Sequence, residues 1–188
     1  MLTRSRFLRG AALAIALSIA LPSVAALLKT DPGKSSVSAV FRQMNVPVEG
    51  KFKKFNAQVE FDAARLESSK ANMEIDIHSF DLGDAEFNKE ALKKEWFNSA
   101  QFPKATFISS AIKPGSGGKF DVAGKLTIKG KTADVNFPLI VKKEGTNQVF
   151  EGALPIKRLA FNIGEGDWKD TGIVADEVLI KFRLVAAQ

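Results

Sequence analysis

The chain has no cysteine and no tyrosine, and His78 is its single histidine. Without cysteine, thiol catalysis, disulfide frameworks, Cys-zinc sites and Cys-ligated clusters are all excluded. With one histidine, on what reads as the polar face of a strand, a Ser-His-Asp triad and a His-based zinc site lack their parts. Aromatic content is 15 Phe and two Trp, so the aromatic surface carries almost no hydrogen-bonding tips. Such rings suit a dry core or a dry cavity better than a sugar-binding surface.

Long apolar runs are also scarce. The only sizeable one, Ala11 to Leu21, has 11 residues, whereas a membrane-spanning helix needs about 20. It follows Arg4, Arg6 and Arg9 and precedes Pro22 and the small-residue stretch Ser23-Val24-Ala25. This tripartite order predicts a secretory signal peptide over residues 1–25, cleaved after Ala25 or one residue later. Ser5 stands where a twin-arginine signal would carry its second Arg, which favours the Sec route. All 21 acidic residues follow Ala25 and three of the 27 basic ones precede it, so cleavage lowers the net charge from +6 to +3. Residues 26–188 then form one soluble domain of a size that can bury its own core.

Past the signal the pattern has period two. Phe55, Ala57, Val59 and Phe61 alternate with Asn56, Gln58, Glu60 and Asp62. Ala71, Met73, Ile75 and Ile77 alternate with polar residues, as do Phe120, Val122, Gly124, Leu126 and Ile128, and Val178, Ile180, Phe182 and Leu184. Each run predicts a strand with one apolar and one wet face. Weaker strands fit at residues 36–43, 105–112, 133–141 and 149–159. Turn signals at Lys129-Gly130-Lys131, Pro114 to Gly118 and Glu144 to Asn147 separate them. About eight short strands predict an all-β barrel or sandwich. Between residues 84 and 98, Phe87, Ala91, Leu92 and Trp96 fall at helical spacings, predicting one short amphipathic helix placed to lie across a barrel end.

Other motifs carry little chemistry. Asp81 to Glu86 clusters carboxylates without EF-hand spacing, and reads as a solvated turn before a calcium loop. Gly164-Glu165-Gly166-Asp167-Trp168-Lys169 lacks the remaining residues of a phosphate-binding loop, and reads as a turn with Trp168 packed as a plug. Lys51, Lys53 and Lys54 beside Phe52 and Phe55 allow a single-strand-binding surface. An exported chain of small net charge argues against nucleic acid, and a basic strand edge that resists aggregation is the simpler reading.

An eight-stranded closed sheet encloses an interior that side chains either fill or leave open for one ligand. Periodicity alone leaves both outcomes open. The sequence also resembles the YceI-like family of polyisoprenoid-binding, lipocalin-like bacterial periplasmic proteins. Collinear segments carry the resemblance: Val48-Glu49-Gly50-Lys51-Phe52, Ser79 to Gly83, Phe102 to Phe107, Gly124 to Thr132 with Asp134-Val135, and Lys157 to Gly164. The resemblance implies an eight-stranded antiparallel lipocalin-like β-barrel with a helix near one end and a long apolar cavity holding an isoprenoid chain. The chain departs from the family at Met44, where many relatives carry His, and at Asn162, where Gly is common.

On this basis the predicted ligand is an isoprenoid lipid, a polyprenyl chain or quinone tail, with no other cofactor and no catalysis. The expected setting is the periplasm, with transient membrane contact. The predicted cavity lining is Phe41, Phe52, Phe55, Val59, Phe61, Met73, Ile75, Ile77, Phe107, Phe120, Leu126, Phe137, Phe161, Ile180 and Phe182. Leu92, Trp96 and Trp168 are predicted at the rim, and Arg42 or Gln43 as polar groups near the ligand's head. Two rival readings are an enzyme acting on an amphiphile in the same cavity, and a filled barrel that partners a membrane redox protein. Dimerisation through a strand edge is compatible with all three.

Overall fold

In the computed structural model, residues 27–187 are described, so the predicted signal segment lies outside the described residues. Eleven strands form one antiparallel sheet: β1 (Leu27–Thr30), β2 (Ser36–Gln43), β3 (Val46–Phe52), β4 (Phe55–Glu60), β5 (Lys70–Asp76), β6 (Phe80–Asp81), β7 (Lys104–Pro114), β8 (Phe120–Ile128), β9 (Lys131–Glu144), β10 (Asn147–Lys157) and β11 (Glu177–Ala187). Among the described residues a single α-helix, α1 (Ala85–Leu92), sits between β6 and β7.

The eleven segments make eight staves, with β5 and β6 counted as one because both pair with the stave formed by β3 and β4. β11 pairs with β2 through Leu179–Arg183 and with β1 through Ala186 and Ala187, so β1 and β2 are one stave broken at Asp31–Ser35. β3 and β4 are likewise one stave, interrupted at Lys53 and Lys54, where Ser79 receives both backbone N–H groups, one on its carbonyl and one on its hydroxyl. Every stave then pairs with its sequence neighbour, and the β1–β11 pairing closes the ring. The result is an eight-stranded closed antiparallel β-barrel, as predicted. Closure settles the choice between barrel and sandwich that periodicity left open.

The hairpins explain the turn signals. Lys129-Gly130, with φ of 48° and 73°, links Ile128 to Lys131 as a two-residue turn. Met44-Asn45, at 47° and 64°, does the same between Gln43 and Val46. Both have the doubly positive φ of a type I′ turn, whose twist matches that of paired strands. Asn162, at φ 57°, closes a 3-10 turn over Arg158–Phe161. The left-handed conformation there suits Gly or Asn, which accounts for the Asn162 departure.

The strand predicted to run to His78 ends at Asp76. Residues Ile77–Ser79 form a 3-10 turn capped by the Asp76 carboxylate, with Ile77 buried and His78 exposed. The helix is also shorter than predicted. Asp84 caps it, accepting from the N–H groups of Glu86 and Phe87, but after Leu92 the chain turns so that Phe97 N–H reaches the Ala91 carbonyl. A left-handed Asn98 (φ 49°) follows. Trp96 therefore belongs to a loop rather than a helix face.

The carboxylate cluster holds this corner together. Asp81 accepts from Gly83 N–H (3.0 Å) and Asn88 Nδ2 (2.9 Å) and pairs with Lys53, while Asp84 is the helix cap. These carboxylates are occupied by protein donors, which replaces the calcium-loop reading. Lys53 and Asn88 hold the Asp81 carboxyl well below the usual range. A depressed carboxyl pKa contributes stability that is present above the unfolded value and is lost as pH falls through the folded one. Asp81→Asn should therefore lower the melting temperature at neutral pH. The gap from the parent should narrow on acidification, as thermal melts across the acid range will show.

Candidate functional site

The barrel interior is not filled. The inward residues of β4, β5, β7, β8 and β11 surround a cavity of about 100 Å³ in the barrel body. A second, of about 290 Å³, lies at the end covered by α1 and the loops that follow β10. The two adjoin, and Phe52, Phe97, Ile128 and Ile180 line both. At the opposite end Phe61 packs edge-on against Phe120 (5.1 Å between ring centroids) and Phe150 (5.5 Å).

Alternation explains why these residues face inward. On β4, Ala57 and Val59 are buried while Asn56 and Gln58 are exposed; on β8, Val122, Gly124, Leu126 and Ile128 are buried. Gly124 sits under the ring of Phe107, where any added Cβ would collide. That close approach lets Phe107 tilt against Phe137, at 5.5 Å. Lys51, Lys53 and Lys54 are exposed while Phe52 is 8% exposed, so the Lys–Phe mixture is the two faces of one stave rather than one mixed surface.

Of the predicted lining, Val59, Phe61, Met73, Ile75, Ile77, Phe107, Leu126, Phe137 and Phe182 border the inner chamber, Phe41 the outer one, and Phe52 and Ile180 both. Phe55, Phe120 and Phe161 do not border either chamber. Phe55 packs against the core beside the β3–β4 break, Phe120 stands behind Phe61, and Phe161 is buried in the 3-10 turn after β10. Period two assigns a face, but not how far a residue stands from the open part of the interior.

At the predicted rim, Trp96 and Trp168 line the outer chamber with rings 5.2 Å apart, whereas Leu92 packs on the core. Gln43 lines the chamber; Arg42 turns outward to the Asn45 carbonyl (2.8 Å). Met44 is 73% exposed in its hairpin turn, so the departure at that position falls outside the chamber lining. Gly166–Lys169 forms a 3-10 turn that carries Trp168 and leads into no α-helix.

Sequence reasoning gave Arg158 no role. It is 2% exposed and borders the outer chamber. Its Nε donates to the Ala175 carbonyl (3.1 Å), Nη1 to Ile163 (2.8 Å) and Gly164 (3.4 Å), and Nη2 to Trp168 (2.8 Å) and Val174 (2.6 Å). The guanidinium also lies over the Trp96 ring, 5.7 Å from its centroid. Burial draws its pKa down, with Asp176 opposing. A guanidinium has five N–H donors, and all five are used to hold the loops that floor this chamber. Nearby, Lys129 reaches from the β8–β9 turn to the Asn162 carbonyl (2.7 Å) and the Glu165 carboxylate (2.8 Å). The only signal in the sequence was an Arg inside an otherwise family-like segment.

The YceI-like domain model matches residues 28–186, nearly the whole described chain. The chain belongs to the YceI-like family. Among solved structures, this YceI-like barrel is similar to Burkholderia cenocepacia BcnA, with a TM-score of 0.82, 57% identity, and coverage of 85% of this chain and 100% of that one. A polyisoprenoid binding domain from Saccharophagus degradans, implicated in plant cell wall breakdown, shares the fold at a TM-score of 0.66 and 17% identity, covering 88% of this chain and 99% of that one. Protein YceI of Salmonella arizonae is 33% identical over 120 residues. That match covers 61% of this chain and spans 62% of the length of the relative.

Proposed function

We propose that this YceI-like barrel carries a long isoprenoid lipid, a polyprenyl chain or the tail of a quinone, in its two adjoining chambers, without catalysing a reaction. The observation that carries this reading is the unfilled apolar interior of a closed barrel. An isoprenoid tail offers no hydrogen bonds, and the Phe-, Ile-, Leu- and Val-rich lining of the inner chamber asks for almost none. Burial at about 25 cal/mol per Å² makes a long tail a tight ligand even after ordering costs. The polyisoprenoid-binding relative from S. degradans supports the same ligand class. Absence of catalysis is supported by His78, which stands exposed on its turn away from both chambers.

In this proposal the chain is exported to the periplasm by residues 1–25 and loads its cargo during brief membrane contact. Phe87 borders the outer chamber and is 57% exposed; Met44 and Ile173, 73% and 39% exposed, are joined by a backbone hydrogen bond and are the chain neighbours of Gln43 and Val174, which line that chamber. Native mass spectrometry of protein purified from periplasm without detergent tests the reading. A stoichiometric isoprenoid adduct is expected. Failure to hold any polyprenyl lipid, before or after incubation with a series of them, would sink it.

A further inference from the structure

The outer chamber contains one fully buried polar atom without a partner among the described residues. Trp96 lines the chamber, and its indole Nε1 is buried with no hydrogen-bond partner among the described residues. A buried donor without an acceptor loses its bond to water and regains nothing, and native folds rarely tolerate one that has no purpose. The other side chains of this lining that carry polar atoms are Gln43, Glu90, Arg158 and Trp168, whose half-buried indole is the second N–H here. Arg158 has spent all five N–H groups on carbonyls. Glu90 is an anion paired with Lys93. The chamber therefore has a free neutral donor, a carboxylate, and no cation with a donor to spare.

We propose that the outer chamber holds an uncharged head group through a hydrogen bond from Trp96 Nε1–H to a head-group oxygen, and that it discriminates against phosphate and pyrophosphate heads. This rests on the carrier reading above. A phosphate brought here would face Glu90 with no free guanidinium or ammonium to receive it, so the cost of stripping its water would go unreturned. A ring carbonyl or similar neutral oxygen loses little on leaving water and regains its bond from the indole. Gln43, which lines the same chamber and whose amide makes no hydrogen bond among the described residues, is a second group able to meet such a head.

The test compares three ligands with one prenyl tail: the tail as a bare hydrocarbon, as a benzoquinone, and as a monophosphate. The quinone should bind the parent protein more tightly than the other two. Trp96→Phe, which keeps the ring and deletes the N–H, should weaken quinone binding about tenfold, matching about 1.4 kcal/mol, and leave the hydrocarbon unchanged. The Trp96 indole N–H resonance, assigned by its loss in Trp96→Phe, should move downfield with the quinone but not with the hydrocarbon. Equal loss for quinone and hydrocarbon, or no loss for either, overturns the assignment of Trp96. Tighter binding of the monophosphate than of the quinone overturns the neutral-head selectivity. Binding of none of the three overturns instead the carrier reading on which both depend.

Discussion

Arg158→Met should destabilise the fold by about 3–5 kcal/mol, from five backbone carbonyls left without a donor. Methionine restores most of the buried stem but none of the donors. The carbonyls of Ile163, Gly164, Trp168, Val174 and Ala175 would then be left facing each other around an apolar side chain. Each orphaned carbonyl costs on the order of 1 kcal/mol or more before the loops relax. At about 2–4 °C per kcal/mol for a domain of this size, the melting temperature should fall by roughly 10 °C. Arg158→Lys should rescue little, because an ammonium brings three donors from one point and cannot span carbonyls from three loop segments. The packing is also closed around the guanidinium: Gly164, at φ 81°, has no room for a Cβ against Nη1. A loss below about 1 kcal/mol in urea or thermal unfolding would mean that the loops find other donors and that Arg158 is not their keystone.

Ile180→Asp should abolish lipid retention while leaving a folded barrel. Ile180 lies on β11, between Leu154 of β10 and Ala39 of β2, and is one of the four side chains common to both chambers. A tail that extends from the outer chamber into the barrel body must pass it. A carboxylate there keeps its water when the chambers are unoccupied by lipid, so the fold is spared. Binding the tail would strip that water, at a cost of several kcal/mol. Affinity should therefore drop about 100-fold or more, while Ile180→Val, which conserves the apolar surface, should stay within a few-fold. Phe182→Asp should act in the same direction from the inner chamber. Phe120→Asp should not, since Phe120 stands behind Phe61. Co-purifying lipid, measured by extraction and mass spectrometry, distinguishes these outcomes. Undiminished lipid in Ile180→Asp would move the binding site away from the chambers.

The same residues show how far a one-dimensional pattern reaches. The strands at Phe55–Glu60, Phe120–Ile128 and Glu177–Ala187 are visible because one face of each is apolar and the other meets water. β3 was harder to see, since Pro47 and Gly50 interrupt Val46–Phe52. Gly50 is there because Phe80 and Leu82 lie against its backbone, a long-range reason invisible in local sequence. Trp96 keeps helical spacing, which predicts a longer helix than the one that forms, because its position is set by the turn at Lys93–Asn98.

By itself the sequence determined the fold class, the turn at Lys129-Gly130, the helix start at Asp84 and the family. These follow from alternation, from backbone conformations few residues accept, and from segments kept in order along the chain. Closure of the sheet, which periodicity left open, was implied by the resemblance; tertiary structure alone decided that the interior divides into two chambers meeting at Ile180, and that Phe120 and Phe161 stand outside them. It alone showed Arg158 with every donor committed and Trp96 with its one donor free. The reason is physical: a strand's period states which face a side chain takes, whereas open space and unused hydrogen bonds are sums over neighbours brought together from distant parts of the chain.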